Sequence, residues 1–200
     1  RPRIGPPVDP AAAGRPDRAA AHQHPAAFHA GVNDVLLTAF ALALADWRRS
    51  RGTGEPVPAL VALEGHGREE QLADGVDLSR TFGWFTSIFP VRLDPGPIDL
   101  DDALAGGPDA GRALKRIKEA LRAIPDHGLG YGLLRHLNPE TAAVLAGLPD
   151  PQISFNYLGR FGVDSSADGC WTALPGVGLL AGGFDAGMPV APYVLEVNAF

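Results

Sequence analysis

Glu64 and the residues after it, Gly65-His66-Gly67-Arg68-Glu69, hold the side chains best suited to moving a proton. They close an apolar run, Ala59-Leu60-Val61-Ala62-Leu63, bounded by Pro58 and Gly65, which predicts a buried strand over residues 58–63. A carboxylate just past such a strand is expected to be poorly solvated, a setting that would suit general acid or base work. The same residue has a plain structural reading, an ion pair with Arg68 or Arg80 that closes a turn. His66, between two glycines free to take positive φ, reads as a turn histidine. A second stretch, Arg80-Thr81-Phe82-Gly83-Trp84-Phe85-Thr86-Ser87-Ile88-Phe89-Pro90-Val91-Arg92-Leu93, reads as a long aromatic strand with small hydroxyls at its middle. Trp84, Thr86 and Ser87 are its candidates for a substrate wall, although aromatic residues in strands also serve as plain core. Ser87 lacks a G-x-S-x-G context and so is no nucleophile elbow.

The positioning elements follow from periodicity. A helix is expected over residues 32–49, with Asn33 as N-cap and a face of Leu36, Phe40, Ala43 and Trp47, widened by Leu37, Ala41 and Leu44. Arg48 and Arg49 complement the dipole of its last turn. The strand over 82–93 puts Trp84, Thr86 and Ile88 on one face and Phe85, Ser87, Phe89, Val91 and Leu93 on the other. Pro90 confines it to an edge or a bulge. A second long helix spans residues 109–124, with Leu114, Ile117, Leu121 and Ile124 inward. Its other side, Arg112, Lys115, Arg116, Lys118 and Arg122, is a solvated face or a docking surface for an acidic partner. The glycines at 128, 130 and 132 do not form a dinucleotide fingerprint, since no strand precedes them. A short helix over 133–137 follows, then one capped by Asn138-Pro139 and running to about Leu148. Residues 152–158 alternate, with Ile153, Phe155 and Tyr157 opposite Ser154 and Asn156. Residues 159–190 are glycine-rich and turn-like. A last strand over 192–200 puts Glu196 and Asn198 on its polar face. The chain stops inside that strand, so a continuation is expected.

The totals bound the class. The 200 residues suffice for one sizeable core, and 46% hydrophobic with 20% charged residues is a globular composition. A net charge of -6 argues against a nucleic-acid partner. No apolar run approaches a membrane span, and the start of the chain lacks the apolar region of a secretory signal. Cys170 is the only cysteine, which leaves no disulfide and no cysteine-based metal cluster, so the cytoplasm is the expected location. Residues 1–27, rich in Pro and Ala, read as a flexible leader or linker. His22, His24 and His29 have no rigid frame there on which to hold a metal.

These motifs resemble the epimerization domains of nonribosomal peptide synthetases, members of the condensation-domain superfamily. The carriers are Asn33-Asp34-Val35-Leu36-Leu37, Glu64 through Glu69, Arg80 through Leu93, Gly130-Tyr131-Gly132, and Phe155-Asn156-Tyr157-Leu158-Gly159-Arg160-Phe161. The resemblance covers residues 28–200 and corresponds to the C-terminal part of such a domain. It implies an α/β fold: one lobe of a chloramphenicol-acetyltransferase-like two-lobed domain, with a mixed sheet and helices packed on one face. It implies epimerization at the Cα of an aminoacyl or peptidyl thioester, carried on the phosphopantetheine arm of a peptidyl carrier protein. No cofactor or metal bound directly is implied. The partners would be that carrier, the N-terminal lobe of the same domain and adjacent synthetase modules. Glu64 would be an acid–base residue, with Asn156 and Tyr157 near the catalytic centre. The family's His-His-x-x-x-Asp-Gly motif does not occur in these 200 residues. The chain alone, holding one of two acid–base groups, is therefore expected to be inactive. A condensation segment and a non-catalytic carrier-docking lobe are the alternative readings.

Overall fold

The computed structural model describes residues 28–52, 58–70, 74–159 and 193–199. The leader expected over residues 1–27, the stretch 160–192 and Cys170 fall outside these. The chain divides into two compact units, residues 1–57 with 94–119, and residues 58–93 with 120–200.

The first unit is helical where described. Helix α1 is Val32–Ser50, and its N-cap is Gly31 instead of Asn33. The Gly31 amide donates to Asp34 Oδ2 at 2.8 Å, so a first-turn carboxylate supplies the anchor. The buried face is Leu37, Thr38, Ala41, Leu42 and Ala45. This is turned from the expected Leu36, Phe40, Ala43 and Trp47 stripe, and Trp47 is 54% exposed. The reason is close packing: Leu42 and Ala45 share a cluster with Leu100, Ala103 and Ala113, where small side chains let helices approach. Trp47 lies instead at the surface beneath the Arg51 guanidinium, 5.4 Å from its ring centroid.

Helix α2 (Leu100–Leu104) begins at Asp99, whose side chain accepts from the amides of Asp101 and Asp102. Helix α3 is Pro108–Arg122, stopping short of Ile124. Asp109 is buried, pairs with Arg112, and accepts from the Asp99 amide at 2.6 Å. Lys118, expected on the solvated basic face, is buried, its Nζ donating to the Phe28 carbonyl at 3.0 Å. Its aliphatic stem can be covered while the ammonium finds a backbone acceptor. Arg112, Lys115, Arg116 and Arg122 keep contact with solvent, as expected.

The second unit holds the sheet: β1 (Ala59–His66), β2 (Thr86–Leu93), β3 (Ile153–Tyr157) and β4 (Leu195–Ala199), in the order β2-β1-β3-β4. β1 and β2 are antiparallel, and β1–β3 and β3–β4 are parallel, so the sheet is mixed. Pro90 sits in β2, an edge strand among the described residues, where its missing N–H costs no ladder bond on the outer side. Two expected boundaries move. β1 does not end at Leu63 but continues through Glu64 and Gly65 to His66, which pairs with Thr86. Gly65 makes this continuation fit, since a Cβ there would come within 2.8 Å of Ser87 Oγ. β2 begins at Thr86, not at Phe82, and Phe82 and Trp84 are exposed ahead of it.

Alternation sorts the side chains. Ala59, Val61, Leu63, Phe89, Val91, Leu93 and Phe155 share one face and are all buried. A 3-10 turn (Pro125–Gly128) leads into α4 (Leu129–His136), which packs against β2. Gly128 has φ +82°, and a Cβ there would run into the Phe89 ring. The turn is thus seated on the apolar face, and glycine is required on both counts. This left-handed residue lets α4 start four residues earlier than the expected 133–137 helix. Helix α5 (Pro139–Ala146) opens as expected, with Asn138 Oδ1 accepting from the Glu140 amide at 2.9 Å. Among the described residues, no helix is long and apolar enough to cross a membrane.

Candidate functional site

The opposite face of the sheet carries a polar row near the His66 end of β1. Glu64 and His66, two residues apart on β1, point the same way. Thr86, the partner of His66 on β2, joins them, and so does Asn156 on β3, one step beyond the Leu63–Phe155 pair and therefore beside Glu64. Asn198 on β4 pairs with Asn156 and extends the row. Four strands thus place a carboxylate, an imidazole, a hydroxyl and two amides on one surface.

His66 ties this surface together. Its Nε2 lies 2.8 Å from Asn156 Oδ1, and its Nδ1 lies 3.3 Å from Thr86 Oγ1. The bridge crosses three strands, with the central strand supplying the ring. Glu64 is half-buried at the strand's polar edge. Arg68, the partner considered for it, is used elsewhere: its guanidinium donates to the Thr81 carbonyl at 3.1 Å and stacks on the Phe85 ring. Tyr193, just before β4, carries a phenol pushed above its ordinary value of 10.0. Burial is the main cause, followed by the negative charge of Glu64, then Glu196 and Asp150.

The remaining sequence candidates lie elsewhere. Ser87 and Tyr157 occupy the odd register of their strands and belong to the face opposite Glu64 and Asn156. Trp84 is 88% exposed in the segment ahead of β2. The structure therefore brings together Glu64, Asn156 and Thr86, and does not bring Trp84, Ser87 or Tyr157 to that surface. His66, expected to be a turn histidine, lies instead in β1, paired with Thr86, and joins that surface. The signal was present: if β1 continues through Gly65, a period of two puts His66 on the Glu64 face. Tyr193 gave no comparable signal.

Beyond the strand ends, Glu69 Oε2 pairs with His127 Nδ1 at 2.9 Å. Both residues have positive φ, 44° and 49°, in the region L side chains seldom adopt. This contact links the segment after β1 to the turn before α4.

Comparison with known proteins agrees with the resemblance in the motifs. The family described as the condensation domain matches residues 17–173. A linear gramicidin synthase polypeptide of Brevibacillus parabrevis is 46% identical over 153 residues, which is 76% of this chain and 3% of that protein. Surfactin synthase subunit 1 of Bacillus subtilis is 45% identical over 142 residues, 70% of this chain and 4% of its own length. The chain thus spans a few per cent of the length of these curated relatives. Among solved structures, it is similar to the epimerization domain from the third module of tyrocidine synthetase B. The identity is 40% and the TM-score 0.55, over 70% of this chain and 29% of that one. This likeness agrees with the implied α/β fold, one lobe of a chloramphenicol-acetyltransferase-like domain.

Proposed function

This chain belongs to the condensation-domain family, and we propose that it carries one acid–base half of an epimerization site in a nonribosomal peptide synthetase. The observation that carries the proposal is Glu64 beside Asn156 on one face of the sheet, with His66 bonded to the amide and Thr86 bonded to His66. The 40% identity to a solved epimerization domain supports epimerization as the reaction.

The substrate is an aminoacyl or peptidyl thioester on the phosphopantetheine arm of a carrier protein. A thioester acidifies its α-proton because the carbanion's charge flows to the carbonyl oxygen. Inversion requires proton removal on one side of Cα and return on the other, which two acid–base groups on opposite sides accomplish. Glu64 is the group supplied here. The second belongs to the other lobe of the domain. The Asn156 amide donates to the enolate oxygen, a hydrogen bond that strengthens as charge develops there. Ser87 and Tyr157, on the other face, are outside this proposed site.

The family name itself favours a second reading, formation of a peptide bond between two carrier-bound substrates. A product assay on the intact module separates the two. Chiral analysis of the released thioester should give a mixture of L and D residues with no new amide. A new amide with retained configuration would move the assignment to condensation.

A further inference from the structure

We infer that His66 is a positioning residue, held between Thr86 and Asn156 with a proton on Nε2, and that its tautomer and the facing of the Asn156 amide are set together. The inference rests on the epimerization reading for its functional consequence, but its structural basis is independent.

The Asn156 atom that faces the ring, Oδ1, sets the direction of the bridge. Asn156 Oδ1 has lone pairs and no hydrogen, so at 2.8 Å the His66 Nε2 is the donor. In the Nε2–H tautomer, Nδ1 carries a lone pair. At 3.3 Å, Thr86 Oγ1 is the group that donates to it. The hydrogen bonds therefore run one way, from the Thr86 hydroxyl through the ring to the Asn156 carbonyl oxygen. The consequence falls on the rest of the amide. With its oxygen engaged by His66, both N–H donors of Asn156 are left for a ligand. The flipped amide would aim its oxygen at that ligand instead, the wrong polarity for an enolate. The flipped amide pairs only with the Nδ1–H tautomer, so the tautomer of the ring and the facing of the amide are one choice.

The flanking strands make this a brace. Thr86 is on β2, His66 on β1 and Asn156 on β3, so the bridge is anchored at three backbone positions fixed by the ladders. His66 touches no reacting atom in this account and acts through Asn156.

The test has two arms. In the 200-residue chain labelled with 15N-histidine, His66 is identified by the resonances lost in His66→Gln. Its Nε2 should show the shift of a protonated nitrogen and its Nδ1 that of an unprotonated one. Asn156→Ala and Thr86→Val should each move both shifts toward an unconstrained mixture. The opposite tautomer, or shifts indifferent to both substitutions, would overturn the inference. In the intact synthetase module, His66→Gln keeps an N–H donor near the place of Nε2, whereas His66→Asn keeps only one near Nδ1. His66→Ala and His66→Asn should lower kcat by on the order of 10- to 100-fold with KM little changed, since the loss is one of orientation. His66→Gln should recover most of that. Equal losses in all three variants would contradict positioning. Epimerization undiminished by Glu64→Gln would remove the functional reading while leaving the tautomer result standing.

Discussion

The two faces of the sheet are written by the same strands yet carry opposite duties. On one face, Phe155, Phe89, Val61 and Leu63 are buried and a glycine turn presses on the Phe89 ring. On the other, Glu64, His66, Thr86 and Asn156 form a polar row, His66 bonded to two of its neighbours, and retain contact with solvent. The difference teaches how an active surface can be kept polar without cost to the fold. Side chains alternate across a strand, so an apolar residue packed on one side sends its neighbour to the other face, where Glu64, His66, Thr86 and Asn156 keep solvent contact. Stability is concentrated on the Phe155 face, and the proposed chemistry lies on the Glu64 face.

Substitutions should therefore divide by face. The largest effect is expected from Phe155→Ala, which empties a fully buried site; its cost is about 3–5 kcal/mol, measured by urea unfolding. A loss below about 1 kcal/mol would blur the distinction between faces. Gly128→Ala comes next, at about 1–3 kcal/mol, because it adds a clash with Phe89 at a left-handed position. A crystal structure of that variant should show the Phe89 ring displaced. On the polar face, Asn156→Ala should change unfolding by about 1 kcal/mol or less, the net worth of a hydrogen bond between accessible groups. A multi-kcal loss there would make Asn156 a core residue.

The smallest expected effect sharpens the placement of Tyr193. Its phenol is raised above 10.0 by burial and, secondarily, by the charge of Glu64. The folded chain therefore holds this proton after the unfolded chain has released it. The contribution to stability is present below the ordinary tyrosine value and is lost as pH rises through the folded value. Spectrophotometric titration should show Tyr193 ionising late, and Glu64→Gln should bring it part of the way back. No change in Glu64→Gln would place Tyr193 outside the reach of that carboxylate.

Much of this contrast is legible in the sequence. The alternation at residues 86–93 and 152–158 assigns the correct faces, because period-two patterning is forced by strand geometry. Glu64 stands out as a carboxylate on a strand flanked by glycine. What escapes depends on tertiary partners. Gly65 looks like the end of a strand, but it is the residue that lets β1 pass beside Ser87 and carry His66 into the ladder. Trp84 and Phe82 look strand-like by composition, yet no partner strand reaches them among the described residues. Helix α1 turns its small residues inward because Leu100, Ala103 and Ala113 approach closely, a fact held in distant sequence. Lys118 defies the charge pattern because a backbone carbonyl meets it at Phe28.

The central claim is that Glu64 moves a proton at Cα. The direct measurement is solvent deuterium exchange at the α-carbon of a carrier-bound aminoacyl thioester, with the intact module and its Glu64→Gln variant. The wild-type protein should incorporate deuterium while interconverting L and D forms. The variant, matched in stability by urea unfolding, should lose inversion by at least about 100-fold, the low end of what a positioned acid–base group contributes. Inversion and exchange at the wild-type rate in Glu64→Gln would contradict the account.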